Sequence, residues 1–173
     1  MVVGWAASII NKAKNMSEIK EYKLFINGKW QDSLSGELDT VFNPTTEEVV
    51  GKVQNGNEQD AELALQAAEA AQKSWRNTPP RKRAELLFSL AQEIKNNSDY
   101  LANLLVREQG KLLKVAKMEV AVTASFIEYA CEGARRIEGD IIPSDNPGEQ
   151  IWIQKVPKGV VVAITAWNFP LAL

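Results

Sequence analysis

Pro157-Lys158-Gly159-Val160-Val161-Val162-Ala163-Ile164-Thr165-Ala166-Trp167-Asn168-Phe169-Pro170 is where the chain announces its architecture. Val160–Ala166 is a continuous apolar, β-branched run, the pattern of a strand buried on both faces of a parallel sheet. A parallel strand needs a parallel neighbour, reached by a crossover of a dozen residues or more. Leu173 follows seven residues after the run, so the sequence reads as the front of a larger α/β protein. Ligands of open α/β sheets bind at the carboxyl ends of strands. Trp167 and Asn168 stand at such an end. An Asn amide there is able to donate to a developing oxyanion, and Trp167 offers a flat wall to an adenine ring. Equally, the pair reads as a core Trp and a turn-forming Asn, and physics alone leaves both readings open.

Upstream, Gln150–Val156 alternates and predicts a strand with two usable faces, with Ile151 and Ile153 on one and Trp152 and Val156 on the other. Ile141–Gly148, with Pro143 and Pro147, reads as a loop. Asn57 to Gly139 carries helical periodicity. Asn57 caps with Asp60 at the third helical position. Ala61, Ala64, Leu65, Ala68, Ala71 and Trp75 then form one stripe, and its alanines predict close packing on a neighbour. Pro79-Pro80 opens a second helix, with Ala84, Leu87, Ala91 and Ile94 on its stripe. Ser98 caps a third, with Leu101, Leu104 and Leu105 inside and Gly110 as its stop. Val115, Met118, Val122, Phe126, Tyr129, Gly133 and Ile137 predict a long fourth helix that Gly139 closes. Toward the N-terminus, Leu24–Ile26 and Lys29–Gln31 flank Asn27-Gly28, a strong hairpin signal. Leu38–Phe42 and Val49–Val53 complete an expected antiparallel patch.

Composition narrows the chemistry. The 173 residues hold 45% hydrophobic and 24% charged side chains, the balance of a globular chain rather than a disordered one. Net charge is −2, which gives no bulk attraction to nucleic acid. The absence of His removes the Ser-His-Asp triad, the Cys-His dyad and His-ligated zinc. Cys131 is the only Cys, so no internal disulfide forms, and a reducing, cytoplasmic compartment is expected. No apolar run reaches the length of a membrane span. Cys131 sits in mid-helix, away from the helix start that lowers a thiol pKa, and reads as a core residue. Arg81-Lys82-Arg83 and Arg135-Arg136 read as solvated faces paired with Glu85 and Glu132. Glu108, Glu119, Glu128, Glu132 and Glu138 form no recognisable acid–base or metal pair and are expected mostly at the surface. Neither G-x-G-x-x-G nor a P-loop is present.

Several landmarks in order resemble the aldehyde dehydrogenase superfamily, over Lys23–Leu173. They are Ile26-Asn27-Gly28-Lys29-Trp30, Asn43-Pro44-Thr45-Thr46-Glu47, the Ala-rich helix ending at Trp75, Glu108-Gln109-Gly110-Lys111 and, most specific, Pro157–Pro170. Glu138–Asp145 and Pro147–Glu149 look most like the lactaldehyde/glycolaldehyde and succinate-semialdehyde types. One departure stands out: Ala166 occupies a position that is usually Pro, and Ala keeps an N–H and a freer φ.

The resemblance implies an α/β fold seen in its N-terminal part: antiparallel strands, a helical layer, an oligomerisation strand and the first strand of a parallel cofactor-binding sheet. It implies residues 17–139 as the strand-and-helix part of the cofactor-binding domain, 140–158 as the oligomerisation segment and 159–173 as the first dinucleotide-sheet strand. Residues 1–16 are expected to be an extension outside the fold, or a short docking helix with Trp5 and Ile9 on one face. The implied function is NAD- or NADP-dependent oxidation of a small aldehyde to its acid through a thiohemiacetal. Asn168 would hold the oxyanion, and Ile164, Thr165, Ala166 and Trp167 would line the cofactor groove. Residues 150–156 would join copies into a homo-oligomer. The family's nucleophilic Cys and general-base Glu lie further along than Leu173, so this chain is expected to be inactive alone. The alternatives are a non-catalytic oligomerisation module and one chain of a split enzyme.

Overall fold

Asn27 and Gly28 take φ of 50° and 75°, the positive values that a tight hairpin turn requires. They join β2 (Leu24–Ile26) to β3 (Lys29–Gln31) in antiparallel register, with Phe25 opposite Trp30 and the two rings 4.9 Å apart. This is a computed structural model, and it describes residues 19–173; the expected N-terminal extension with Trp5 and Ile9 lies outside the described residues.

β4 (Leu38–Phe42) and β5 (Val49–Gln54) pair antiparallel as expected. The patch as a whole is nevertheless mixed. β1 (Lys20–Tyr22), which the sequence did not predict, lies parallel to β5, giving the order β1-β5-β4. Three residues are too few for alternation to show.

Helix α1 (Glu58–Trp75) starts with the expected reciprocal cap. The Asp60 N–H donates to Asn57 Oδ1, and the Asn57 N–H donates back to Asp60 Oδ2, both at 3.0 Å. Asp60 does more than cap. It accepts from Ser33 Oγ at 2.5 Å and from the Leu34 N–H at 3.1 Å, which ties the loop after β3 to α1. The Ser33 hydroxyl first, and the Asn57 N–H next, hold the Asp60 carboxyl below its ordinary pKa. A carboxylate with a lower pKa folded than unfolded stabilises fully above the ordinary carboxylate range and ceases to do so as pH falls through the folded value. Acid titration of the native chain should therefore show a melting temperature that falls below pH about 4. Asp60→Asn should start lower at neutral pH and lose less over the same window; equal slopes would contradict this.

Helices α2 (Pro80–Asn96), α3 (Ser98–Gln109) and α4 (Leu113–Gly133) pack together. Their core is Ile94, Ala102, Leu105, Ala116, Val120 and Ala124, with Leu90, Leu101, Val106, Ile127 and Leu171 against it. Ion pairs brace the outside: Lys95 to Glu128 at 2.5 Å and Lys117 to Asp99 at 2.9 Å. Arg81 and Lys82 pair with Glu85, and Arg136 with Glu132, the solvated faces expected of the basic runs.

Four helical expectations are corrected. Ser98 is the first residue of α3 rather than its cap; Asn97 takes that place, and its amide donates to the Glu93 carbonyl instead. The alanine stripe of α1 is exposed, because no described layer lies over it. On α4 the stripe through Met118, Val122, Phe126 and Tyr129 faces outward, with Tyr129 79% exposed. The packed face is Ala116, Glu119, Val120, Thr123 and Ala124, where the small side chains of all but Glu119 let the helices approach closely. The helix ends at Gly133, not Gly139.

Beyond it, β6 (Asp140–Pro143) pairs antiparallel with β7 (Gln150–Ile153), so the predicted loop 141–148 begins as a strand, and β7 stops three residues before Val156. Val160–Ala166 forms no strand, and Val160, Val161, Val162 and Ile164 are exposed. A strand exists only through its ladder, and no described residue pairs with this run. The described helices include none long and apolar enough to cross a membrane.

Candidate functional site

The site is built at the joint between α3 and α4. Gly110 ends α3 with φ of 65°, its N–H donating to the Val106 carbonyl at 2.9 Å. This left-handed stop is the expected one. It turns the chain so that Gln109 and Lys111, on either side, reach the same distant segment.

The β4–β5 turn rests on this stop. Asn43 folds the turn on itself: Oδ1 accepts from the Thr45 N–H at 2.9 Å, and its carbonyl accepts from the Glu47 N–H at 2.8 Å. A Cβ on Gly110 would stand 3.1 Å from Pro44 Cγ and 3.4 Å from Thr45 Oγ1. Two separate sequence landmarks, 43–47 and 108–111, thus meet in space. Gly110→Ala combines a left-handed backbone with this crowding and should cost about 1–2 kcal/mol of stability. A thermal melt equal to the native one would refute that reading of the turn.

From the joint, Gln109 Nε2 donates to the Trp167 carbonyl. Lys111 Nζ donates to the Asn168 carbonyl at 2.8 Å and lies 4.6 Å from the centre of the Phe169 ring. Lys111 is also ion-paired with Glu119. The other Glu119 oxygen, Oε1, accepts from the Leu171 N–H at 3.0 Å. The Glu119 side chain is 0% exposed and that of Lys111 12%. The segment then closes on itself, the Ala172 and Leu173 N–H groups donating to the Phe169 carbonyl at 3.1 Å.

Lys111 and Glu119 are the residues that sequence reasoning missed. Glu119 was expected at the surface, but burial of a carboxylate is tolerated where it is paired. The signal was there: Glu119 interrupts the small-residue face of α4, and a charge on a packed face must have a partner.

Asn168 is exposed, and its side-chain amide has no hydrogen-bond partner among the described residues. Ile164 is 95% and Trp167 85% exposed; Thr165 is exposed too, and Ala166 is half-buried. The structure thus brings Trp167 and Asn168 to the α3–α4 joint through their carbonyls and leaves their side chains free. It does not bring Ile164 or Thr165 against any described element. Trp167 is no core residue.

Cys131 is half-buried on α4. Burial pushes its thiol pKa up, and Glu128 and Glu132 add to this, the reverse of an activated nucleophile. Desolvation also raises the Glu108 carboxyl, although the residue as a whole is exposed.

In this α/β chain the landmarks at 43–47, 108–111 and 167–170 thus converge on one joint. The profile of the Aldehyde dehydrogenase family matches residues 30–173, and the chain belongs to that family. It is 57% identical over 155 residues to a 3,6-anhydro-alpha-L-galactose dehydrogenase of Vibrio sp. (strain EJY3), covering 90% of this chain and 32% of that protein. It is 43% identical over 151 residues to a succinate semialdehyde dehydrogenase of Acinetobacter baylyi, covering 87% and 31%. Among solved structures, a 3,6-anhydro-L-galactose dehydrogenase in complex with NAP superposes with a TM-score of 0.84 at 54% identity, over 88% of this chain and 32% of that one. The chain spans about a third of the length of the curated relatives it matches.

Proposed function

We propose that this chain is the N-terminal part of an NAD- or NADP-dependent aldehyde dehydrogenase and supplies one wall of its cofactor groove and one oxyanion donor. The observation that carries this is the turn at Trp167–Pro170. It is anchored through main-chain atoms at residues 167, 168 and 171, while the Trp167 and Asn168 side chains stay free.

The residues present suit a dinucleotide. Ile164 and Trp167 offer exposed apolar surface, and Thr165 and Ala166 add short side chains that let a ligand approach. A bound NAD or NADP would supply the hydride acceptor that oxidation of an aldehyde needs. The chain's own contribution is positional. Trp167 gives a flat face for an aromatic ring to stack on. The Asn168 amide N–H donates to the aldehyde oxygen as negative charge grows there, an interaction stronger in the transition state than in the ground state.

The nucleophile is not in this chain. Cys131 is the only thiol, is raised in pKa and has no His to activate it. The isolated chain, offered NAD or NADP with aldehydes, should reduce no cofactor, and Cys131→Ser should change nothing. Cys131 is half-buried rather than the core residue expected from the sequence, and turnover lost on Cys131→Ser would overturn its reading as an unactivated thiol.

The complete protein that carries this chain should reduce NAD or NADP with members of a panel of 3,6-anhydro-L-galactose, lactaldehyde, glycolaldehyde and succinate semialdehyde. No reduction of either cofactor across the panel would refute the reading. A second role rests on a different observation. The β6–β7 hairpin exposes Ile141, Ile142, Ile151, Trp152 and Ile153, a sheet edge suited to pairing with another copy. Size-exclusion chromatography of Trp152→Lys should show a smaller assembly if residues 150–156 join subunits.

A further inference from the structure

We infer that the buried Lys111–Glu119 pair is the positioning device for the Asn168 turn; this rests on the proposed role of Asn168 as oxyanion donor. The pair is seated where α3 hands over to α4, and each partner spends its remaining hydrogen-bonding capacity on the same turn. Lys111 Nζ serves Glu119, the Asn168 carbonyl and the Phe169 ring. Glu119 uses one oxygen for Lys111 and the other for the Leu171 N–H. The Leu171 side chain packs on the helical core beside them. Four consecutive residues, Asn168, Phe169, Pro170 and Leu171, are therefore held at both ends by one ion pair.

Burying two charges is not needed for stability, since an apolar pair of the same volume often serves as well. What the charges add is direction. They hold main-chain groups, so the grip does not consume the Asn168 amide, and a charge-assisted bond fixes its carbonyl more firmly than a neutral one. A 1 Å displacement of a catalytic group is costly, and the pair is what opposes it. Lys111 and Glu119 are positioning residues that act through the turn.

The test replaces the pair by apolar residues of similar volume, Lys111→Met with Glu119→Leu, which leaves no charge stranded. In the 173-residue chain, amide exchange at Leu171, Ala172 and Leu173 should accelerate at least about tenfold, while amides of α2 and α4 keep their native rates. In the complete protein, kcat for aldehyde oxidation should fall by about 10²-fold. Native exchange at 171–173 in the double variant overturns the inference, and so does faster exchange with unchanged kcat. If the double variant does not fold, Glu119→Gln takes its place: it keeps the shape and an acceptor but loses the charge. Exchange at Leu171 should again rise, and unchanged exchange again overturns the inference. Asn168→Ala, measured alongside, separates the two claims, because unchanged kcat in that variant refutes the oxyanion reading whatever the exchange data show.

Discussion

Asn168→Ala, in the complete protein that carries this chain, should lower kcat by about 10²–10³-fold, the loss that follows removal of one oxyanion donor. Cofactor affinity should hardly change. The Asn168 carbonyl, not its side chain, makes the contact with Lys111, so the substitution leaves the turn anchored and removes only the amide. The expected signature is a fall in kcat and kcat/KM together, with the dissociation constant of NAD or NADP retained. Normal kcat with weakened cofactor binding would move Asn168 from the oxyanion to the groove wall.

The second large effect concerns stability. Glu119→Ala leaves Lys111 in a nearly dry site without its counter-charge and leaves the Leu171 N–H without its acceptor. Breaking a buried pair on one side costs about 3–5 kcal/mol, a large share of the roughly 5–15 kcal/mol of a typical domain. Denaturant unfolding should show this loss. The double replacement by Met and Leu should recover most of it, because the uncompensated charge is gone. A single variant within about 0.5 kcal/mol of native, the range of ordinary surface changes, would mean that water reaches the pair.

The features legible in the sequence are those whose cause is local. Asn27-Gly28 makes its turn because two adjacent residues tolerate positive φ. Asn57 and Asp60 cap because they lie three apart. Gly110 stops a helix by its own backbone freedom. What misled was a choice between two faces of one helix. α4 is apolar on both, and the larger residues, Met118, Phe126 and Tyr129, drew the reading. The packed side is the one with Ala116, Val120 and Ala124, since small residues permit close approach and periodicity does not say which face has a neighbour. The run Val160–Ala166 shows the same limit in another form: its composition describes a buried strand, but its ladder must come from a partner, and none of the described residues provides one.

The candidate site divides along the same line. Trp167 and Asn168 were singled out from the end of an apolar run, and the structure leaves both side chains available. Their holders, Gln109, Lys111 and Glu119, lie 52 to 58 residues upstream of the groups they hold, where the fold alone brings them near. A Lys and a Glu eight apart across a helix break give no periodic signal of pairing.

The central claim is that Val160–Asn168 is one strand and strand-end of a cofactor groove, and amide exchange along that stretch in the complete protein tests it most directly. The account predicts slow exchange over Val160–Ala166, where this chain alone exchanges fast, and a further slowing at Ile164–Asn168 when NAD or NADP is added. Fast exchange over the whole stretch in the complete protein, unaltered by either cofactor, would contradict it.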